Sequence, residues 1–349
     1  MIARFCAYAV LRNLRFFEPF FLLFLLHDVG VDFVTAGALL AYEKILGGAL
    51  EVPLGVVTDR LGRRRSLVAS FTLAAAAFGI FAWAAATPAW TLPLLYLGQT
   101  LYGVAEAARS GSHKAIILDW LTQQGRRDEK TKVIGTTRFF SKSSGGAAAL
   151  VAGLIVWQTG HFTALFWAAM VPTLGGALLL WSYPRSLEGS LSQSRKAGLR
   201  KPSTGAGLKL AAQRPGLLAL IGVSVLFESQ IKLALVYLQP FLASRLAEVD
   251  LTVTAGLGAV AYGAWFFLQG LAAGSASLFA PRLEAASGGT ERAIARIHAW
   301  AAGALVALAL LGMLAEGAVA LIGLPVFAAL AVLQNARRPL FVSALDDHM

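Results

Sequence analysis

Charge is scarce in this chain and cysteine is nearly absent. Only 14% of its 349 residues are charged and 57% are hydrophobic, against about a quarter charged and about half apolar in a soluble domain. That deficit argues against an ordinary soluble globule. The single cysteine, Cys6, excludes an intramolecular disulfide. The polar–apolar alternation of a membrane β-barrel is missing. So are the HExxH metal pair, the paired aspartates of lipid-headgroup transferases and a P-loop, which leaves no enzymatic signature. His113 and Asp119 lie six apart, on different helix faces. A cleavable signal peptide is not evident either. The first apolar segment carries Arg12, Arg15 and Glu18 and has no small-residue cleavage site.

What the chain has instead is a series of apolar runs about twenty residues long, the length that crosses a ~30 Å hydrocarbon core as helix. Backbone amides cannot stay unpaired in lipid, so helix is the natural spanning form. Ten spans are expected, near 9–29, 33–57, 67–86, 92–119, 135–157, 163–183, 215–243, 253–279, 293–313 and 318–343. The fold class is therefore all-α and polytopic. The net charge of +11 is an orientation signal rather than a nucleic-acid footprint. The gaps after odd-numbered spans hold Arg245 and little else basic. The even gaps hold Arg60, Arg63, Arg64 and Arg65, then Arg126, Arg127, Lys130 and Lys132, then a basic stretch from Arg185 to Arg214, then Arg282, Arg292 and Arg296. This positive-inside pattern puts the N-terminus, the even gaps and the chain end in the cytoplasm. The gap 185–214 is rich in Ser, Gly, Lys and Arg and cannot bury enough apolar surface to fold alone. It reads as a cytoplasmic linker between a six-helix bundle (1–184) and a four-helix bundle (215–349).

The stretch GVVTDRLGRRRSL joins spans two and three. A short inside loop with topogenic arginines accounts for its charge, and Gly55 and Gly62 allow close helix approach and a tight turn. Its spacing says more. Gly55, Asp59, Arg60, Gly62, Arg63 and Arg64 resemble the loop motif G-x-x-x-D-[RK]-x-G-[RK]-[RK] of the major facilitator superfamily, at the place where that family carries it. The resemblance implies two six-helix bundles around a central cavity, alternating access and secondary active transport. It also implies a cytoplasmic gate in which Asp59 and Arg63 or Arg64 form a network with Asp119, in IILDWL. Three features depart from the family. The matching gap of the second half, APRLEAASGGTERA, keeps a faint echo of the motif. The fifth span, SKSSGGAAALVAGLI, lacks the Gly-Pro pair of antiporters. Ten spans stand where the family has twelve, so the chain is expected to be a truncated product lacking the last two, inactive or unstable alone.

Ionisable groups inside the spans need a partner or water. Gln99, Tyr102, Glu106, Arg109 and His113 of the fourth span fall within an arc of about 80°. The resemblance makes the first, fourth, seventh and tenth spans line the cavity, which would put this stripe on its wall. Glu106 and Arg109, three apart, are spaced to pair; a structural ion pair between helices accounts for them equally. Glu228 and Lys232 share a face of the seventh span. Lys44 and Glu51 lie nearly in line on the second, and Lys44 is too central to reach the interface easily. Glu18 lies on the first span. Arg138 and Lys142 on the fifth sit where interface anchoring explains them as well as function does. Glu18, Glu106, Glu228 and His113 are proton-carrier candidates by type. Glu106 is preferred, because a proton there would free Arg109. The expectation is a proton-coupled transporter, by efflux or uptake, of a small organic solute suited to aromatics such as Tyr102, Trp265 and Phe266. It would act as a monomer in the cell's inner membrane, with the bilayer and the solute as partners and no metal or organic cofactor, the proton gradient supplying the coupling. The alternative is a channel-like or non-transporting protein on the same fold.

Overall fold

Two interruptions decide the shape of the first half. They fall where the sequence pattern runs on as unbroken helix. The computed structural model describes residues 1–126, 129–184, 187, 215–248, 253, 257–314 and 323–348, and among them every regular element is helical. The chain divides into two compact units, Met1–Lys201 and Pro202–Met349. Apart from Leu187, the expected linker 185–214 lies outside the described residues.

The first unit contains α1 (Ile2–Asn13), α2 (Phe33–Leu61), α3 (Arg63–Ala86), α4 (Thr91–Arg109), α5 (Ser112–Gln123), α6 (Lys130–Thr159) and α7 (Ala164–Trp181). The expected first span 9–29 is not one helix. α1 stops at Asn13, and short 3-10, α and π turns follow over Glu18–Asp28. Pro19 helps keep a 3-10 turn there: it has no N–H to give to the Arg15 carbonyl, which takes the Glu18 amide at 3.1 Å instead. The expected fourth span 92–119 is also two helices. Gly111 adopts φ +69°, in the left-handed region, and separates α4 from α5. The remaining expected spans, where they are described, each fall on one helix.

α3 is the centre of this unit. α4 packs on one side of it and α7 on another, α2 lies against α4, and α1 lies along α6 and α7. Lipid gives no hydrophobic drive for helix association, so packing and interhelical hydrogen bonds must hold the unit together. Aromatic rings interlock at its centre. The Phe17 ring lies 4.7 Å from Phe78 and 5.1 Å from Phe166, and Phe24 lies 4.6 Å from Phe166. Ser70 donates to the Ala105 carbonyl at 2.9 Å, and the hydroxyls of Tyr42 and Thr100 meet at 2.8 Å.

The second unit is α8 (Pro215–Glu248), α9 (Leu257–Ser287), α10 (Thr290–Leu314) and α11 (Gly323–His348), with α11 packed against the other three. Phe227, Ile231, Ile297, Leu330 and Leu340 form its core. Across both units, six described helices are long and apolar enough to cross a membrane: stretches Phe33–Thr58, Arg63–Ala86, Thr136–Thr159, Ala164–Trp181, Leu257–Ala276 and Thr290–Met313. α4, α8 and α11, which carry Glu106, Glu228 and Arg337, are not among them.

Candidate functional site

Two arginines and a carboxylate meet inside the first unit. Arg15 Nη2 donates to Glu106 Oε1 at 2.7 Å. Arg109, three residues beyond Glu106, pairs with the same oxygen. Arg109 is the last residue of α4, where the helix dipole favours a cation. Aromatic faces wall the group: Arg15 lies 5.7 Å from the Tyr102 ring centre, and Arg109 lies 5.6 Å from that of Phe71. Its depth follows from Ser70, which bonds one residue before Glu106. Ser70 is seven residues into α3 from Arg63, or roughly 10 Å at 1.5 Å per residue. The cluster therefore lies roughly 10 Å along α3 from the loop-motif arginines.

The expected stripe from Gln99 to His113 does not form one line, because the break at Gly111 separates His113 from Glu106. His113 is on α5, stacked on Tyr8 at 3.5 Å with 12° between the rings, and its Nε2 is 3.3 Å from the Tyr183 hydroxyl. Gln99 and Tyr102 are buried on α4. Glu18 is exposed on its 3-10 turn. Lys44 pairs with its neighbour Glu43 at 2.6 Å, and its own side chain is 76% exposed. The alignment of Lys44 with Glu51 makes no pair; the Glu51 carboxylate accepts from Ser110 Oγ instead.

The loop motif builds a second site at one end of the unit. Gly62, at φ +96°, is the one residue between α2 and α3. Arg63 Nη1 donates to Asp119 Oδ2 on α5 at 2.5 Å. Arg64 Nη1 donates to the carbonyls of Trp181 (3.1 Å) and Tyr183 (2.9 Å) at the end of α7, and its guanidinium lies 5.8 Å from the Trp181 ring centre. The start of α3 is thus fastened to both α5 and α7. Arg60 is exposed at the end of α2. The side chain of Asp59 lies outside the described residues. The close-approach role expected of Gly55 is not seen: it is exposed, and a Cβ there would meet nothing within 4 Å.

In the second unit Glu228 gathers a group from α11. Gln334 Nε2 donates to Glu228 Oε2 at 2.8 Å, Arg338 Nε lies 3.4 Å and Arg337 Nη1 3.9 Å from Oε1. Arg337 is 1% exposed and sits between the rings of Phe227 (4.7 Å) and Phe341 (4.8 Å). Lys232, four residues from Glu228, is exposed. Sequence reasoning missed Arg337, Arg338 and Gln334 here and Arg15 in the first unit. The signals were QNARRP inside an apolar run and the three-residue spacing of Arg12, Arg15 and Glu18. Among the described residues no group of His, Cys, Asp or Glu is placed to hold a metal.

Apolar helices that bury their charge in clusters within each unit define a multi-pass helical membrane protein. The sequence profile described as Major Facilitator Superfamily matches residues 1–348, and the chain belongs to that superfamily. It is similar to the inner membrane transport protein YajR of Escherichia coli (strain K12), with 29% identity over 177 residues, 50% of this chain and 36% of that protein. The match thus spans little more than a third of that relative's length. Two solved structures share the fold at 14% identity. The nucleoside transporter NupG matches with a TM-score of 0.72 over 97% of this chain and 80% of its own. The xylose transporter XylE from E. coli, in a partially occluded inward-open conformation, matches with a TM-score of 0.66 over 98% and 83%. Family and fold are those of transporters that handle small molecules in a membrane, not those of enzymes.

Proposed function

We propose that this chain is a secondary active transporter that moves a small organic solute by alternating access, driven by a proton gradient. In this reading it sits in the inner membrane with its N-terminus in the cytoplasm, and it uses no metal or organic cofactor. The observation that carries the reading is Glu106, one carboxylate shared by Arg15, in the turn after α1, and Arg109, at the end of α4. A proton on Glu106 would remove the charge that both guanidinium groups bind. They would then be free for another partner or another position, which is the link a coupled carrier needs between protonation and occupancy. The turn at Gly62 supports a gating role in turn, since Arg63 and Arg64 fasten α3 to α5 and α7 through bonds that can break without disturbing an apolar core.

The test is a proteoliposome assay with an imposed pH gradient and a panel of labelled solutes. On this reading, and against the expectation that ten spans leave the chain inactive, the wild-type chain should accumulate at least one solute against its gradient. Glu106→Gln should still exchange that solute across the membrane but stop accumulating it. Undiminished pH-driven accumulation by Glu106→Gln would remove Glu106 from the coupling role, and purely downhill flux by wild type would favour a channel.

A further inference from the structure

The charge cluster of the first unit does not balance. Arg12, one turn before Arg15 on α1, makes no ion pair among the described residues. Its Nε is buried without a hydrogen-bond partner, as are Nε of Arg109 and the hydroxyl of Tyr8. Arg12 lies close enough to Arg109, a second cation, and to Glu106 to feel the charge of both. Glu106 is the carboxylate paired within the cluster. Even with exposed Glu18 counted, whose amide bonds to the Arg15 carbonyl, guanidinium groups outnumber carboxylates three to two. Buried donors are normally satisfied, and a charge inside a bilayer normally has a partner. The Arg109 side chain is 4% exposed, whereas those of Arg15 and Glu106 are 15% and 24% exposed, so the group is reachable from one side.

We propose that Arg12, Arg15 and Arg109 form an oxyanion site, and that the solute carries a carboxylate or phosphate group that binds there. This rests on the transport reading above and names the class of its substrate. Guanidinium forks match planar and tetrahedral oxyanions, and idle N–H groups wait on Arg12 and Arg109. The buried rings of Tyr8, Phe71 and Tyr102 keep the surroundings of the cluster apolar, which strengthens the attraction between its cations and an anionic head. The solute's oxyanion and the Glu106 carboxylate would compete for the same donors. A proton taken by Glu106 would therefore favour the bound anion, which gives the coupling its direction: proton and anion travel together.

Thermal unfolding of the detergent-purified 349-residue chain tests this with matched ring compounds: benzoate, phenyl phosphate, neutral benzamide and cationic benzylamine, with inorganic phosphate as the bare anion. An anionic compound should raise the melting temperature, and benzamide and benzylamine should not. Arg12→Gln should leave the unliganded melting temperature unchanged or higher, because it removes a cation near Arg109 and orphans no carboxylate paired among the described residues. It should weaken the anion response roughly tenfold or more, as befits a lost charge-assisted hydrogen bond. Arg12→Lys should keep part of that response. No response to any anion, an equal response to benzamide or benzylamine, or an unchanged response in Arg12→Gln overturns the proposal. Flux separates the two readings. Accumulation of a neutral or cationic solute with no anion response overturns the anion site and leaves transport standing. An anion response that depends on Arg12, without accumulation of any solute, supports the site and overturns transport.

Discussion

Two adjacent glycines on α7 give a test in which each controls for the other. A Cβ on Gly175 would meet only Leu11 Cδ2, at 3.9 Å, an ordinary contact. A Cβ on Gly176 would lie 2.3 Å from Cε1 and 2.6 Å from Cδ1 of Phe71. Carbon atoms settle at about 3.5–4.0 Å, so Phe71 would have to move by roughly 1 Å. Phe71 is 1% exposed and is flanked by Tyr8 and by the Arg109 guanidinium, so it has nowhere to go without moving the site. Both alanines gain helix propensity, worth about 1 kcal/mol over glycine. Gly175→Ala should therefore be neutral or stabilising by up to that amount. Gly176→Ala gains the same and loses about 1–3 kcal/mol to overpacking. The difference between the two variants, about 1–3 kcal/mol, is the steric term alone. At roughly 2–4 °C per kcal/mol for a unit of this size, Gly176→Ala should melt several degrees below Gly175→Ala by intrinsic tryptophan fluorescence. It should also weaken anion binding, and Phe71→Leu in the Gly176→Ala background should restore part of both. Equal melting temperatures for the two alanine variants would refute the packing argument, and an unchanged anion response would refute the link from Phe71 to Arg109.

Arg63→Gln should leave the protein folded and slow its turnover, since the Asp119 contact at 2.5 Å lies at a helix end and not in the core; normal flux at normal expression would remove the gate assignment. With Cys6 replaced, single cysteines at positions 126 and 160 should react with an impermeant thiol reagent from opposite sides of the membrane, 126 from the cytoplasm, and labelling of both from one side would end the proposed topology. Glu228→Gln should cost roughly 2–4 kcal/mol, because it leaves Arg337 charged and 1% exposed without its carboxylate; an unchanged unfolding midpoint would show that Phe227 and Phe341 alone satisfy that cation.

The apolar runs made eight of the ten expected spans legible as single helices where they are described, six of them long and apolar enough to cross a membrane, because run length and hydrophobicity are local properties of the chain. The two exceptions are interruptions around Pro19 and at Gly111. Pro19 denies the Arg15 carbonyl its amide, and Gly111 takes a left-handed conformation that residue type permits but does not demand. Partners across the fold were out of reach for a different reason. Arg15 and Glu106 stand 91 positions apart, and Glu228 and Gln334 stand 106 apart. Helical periodicity reports only neighbours within a turn or two, so it could propose Glu106 with Arg109 but not Arg15. It likewise aligned Glu228 with Lys232, while the groups that reach Glu228 come from α11. Lys44 shows the same limit: periodicity aligned it with Glu51, while its ammonium pairs with the adjacent Glu43 and its side chain is exposed.

Gly111 offers the complementary experiment to Gly176, because there the strain is conformational with no steric part. Its φ is +69° and a Cβ would meet nothing within 4 Å. Replacement therefore costs the penalty of a left-handed L-residue, about 1–2 kcal/mol for alanine. Asparagine tolerates that region better, so its cost should be smaller. The consequence for the site follows from what the break achieves. It ends α4 at Arg109, beside Glu106 and Phe71, and it turns α5 so that His113 stacks on Tyr8. Alanine also favours continuous helix, and a continuous helix would carry His113 round to the face of Glu106 and out of that stack. Gly111→Ala should thus lose both stability and anion response, Gly111→Asn should lose less of each, and reaction of His113 with diethylpyrocarbonate should rise in the same order. If alanine and asparagine cost the same, the left-handed conformation is not what Gly111 supplies. If both lose stability while His113 stays protected and the anion response stays whole, the break does not position the cluster.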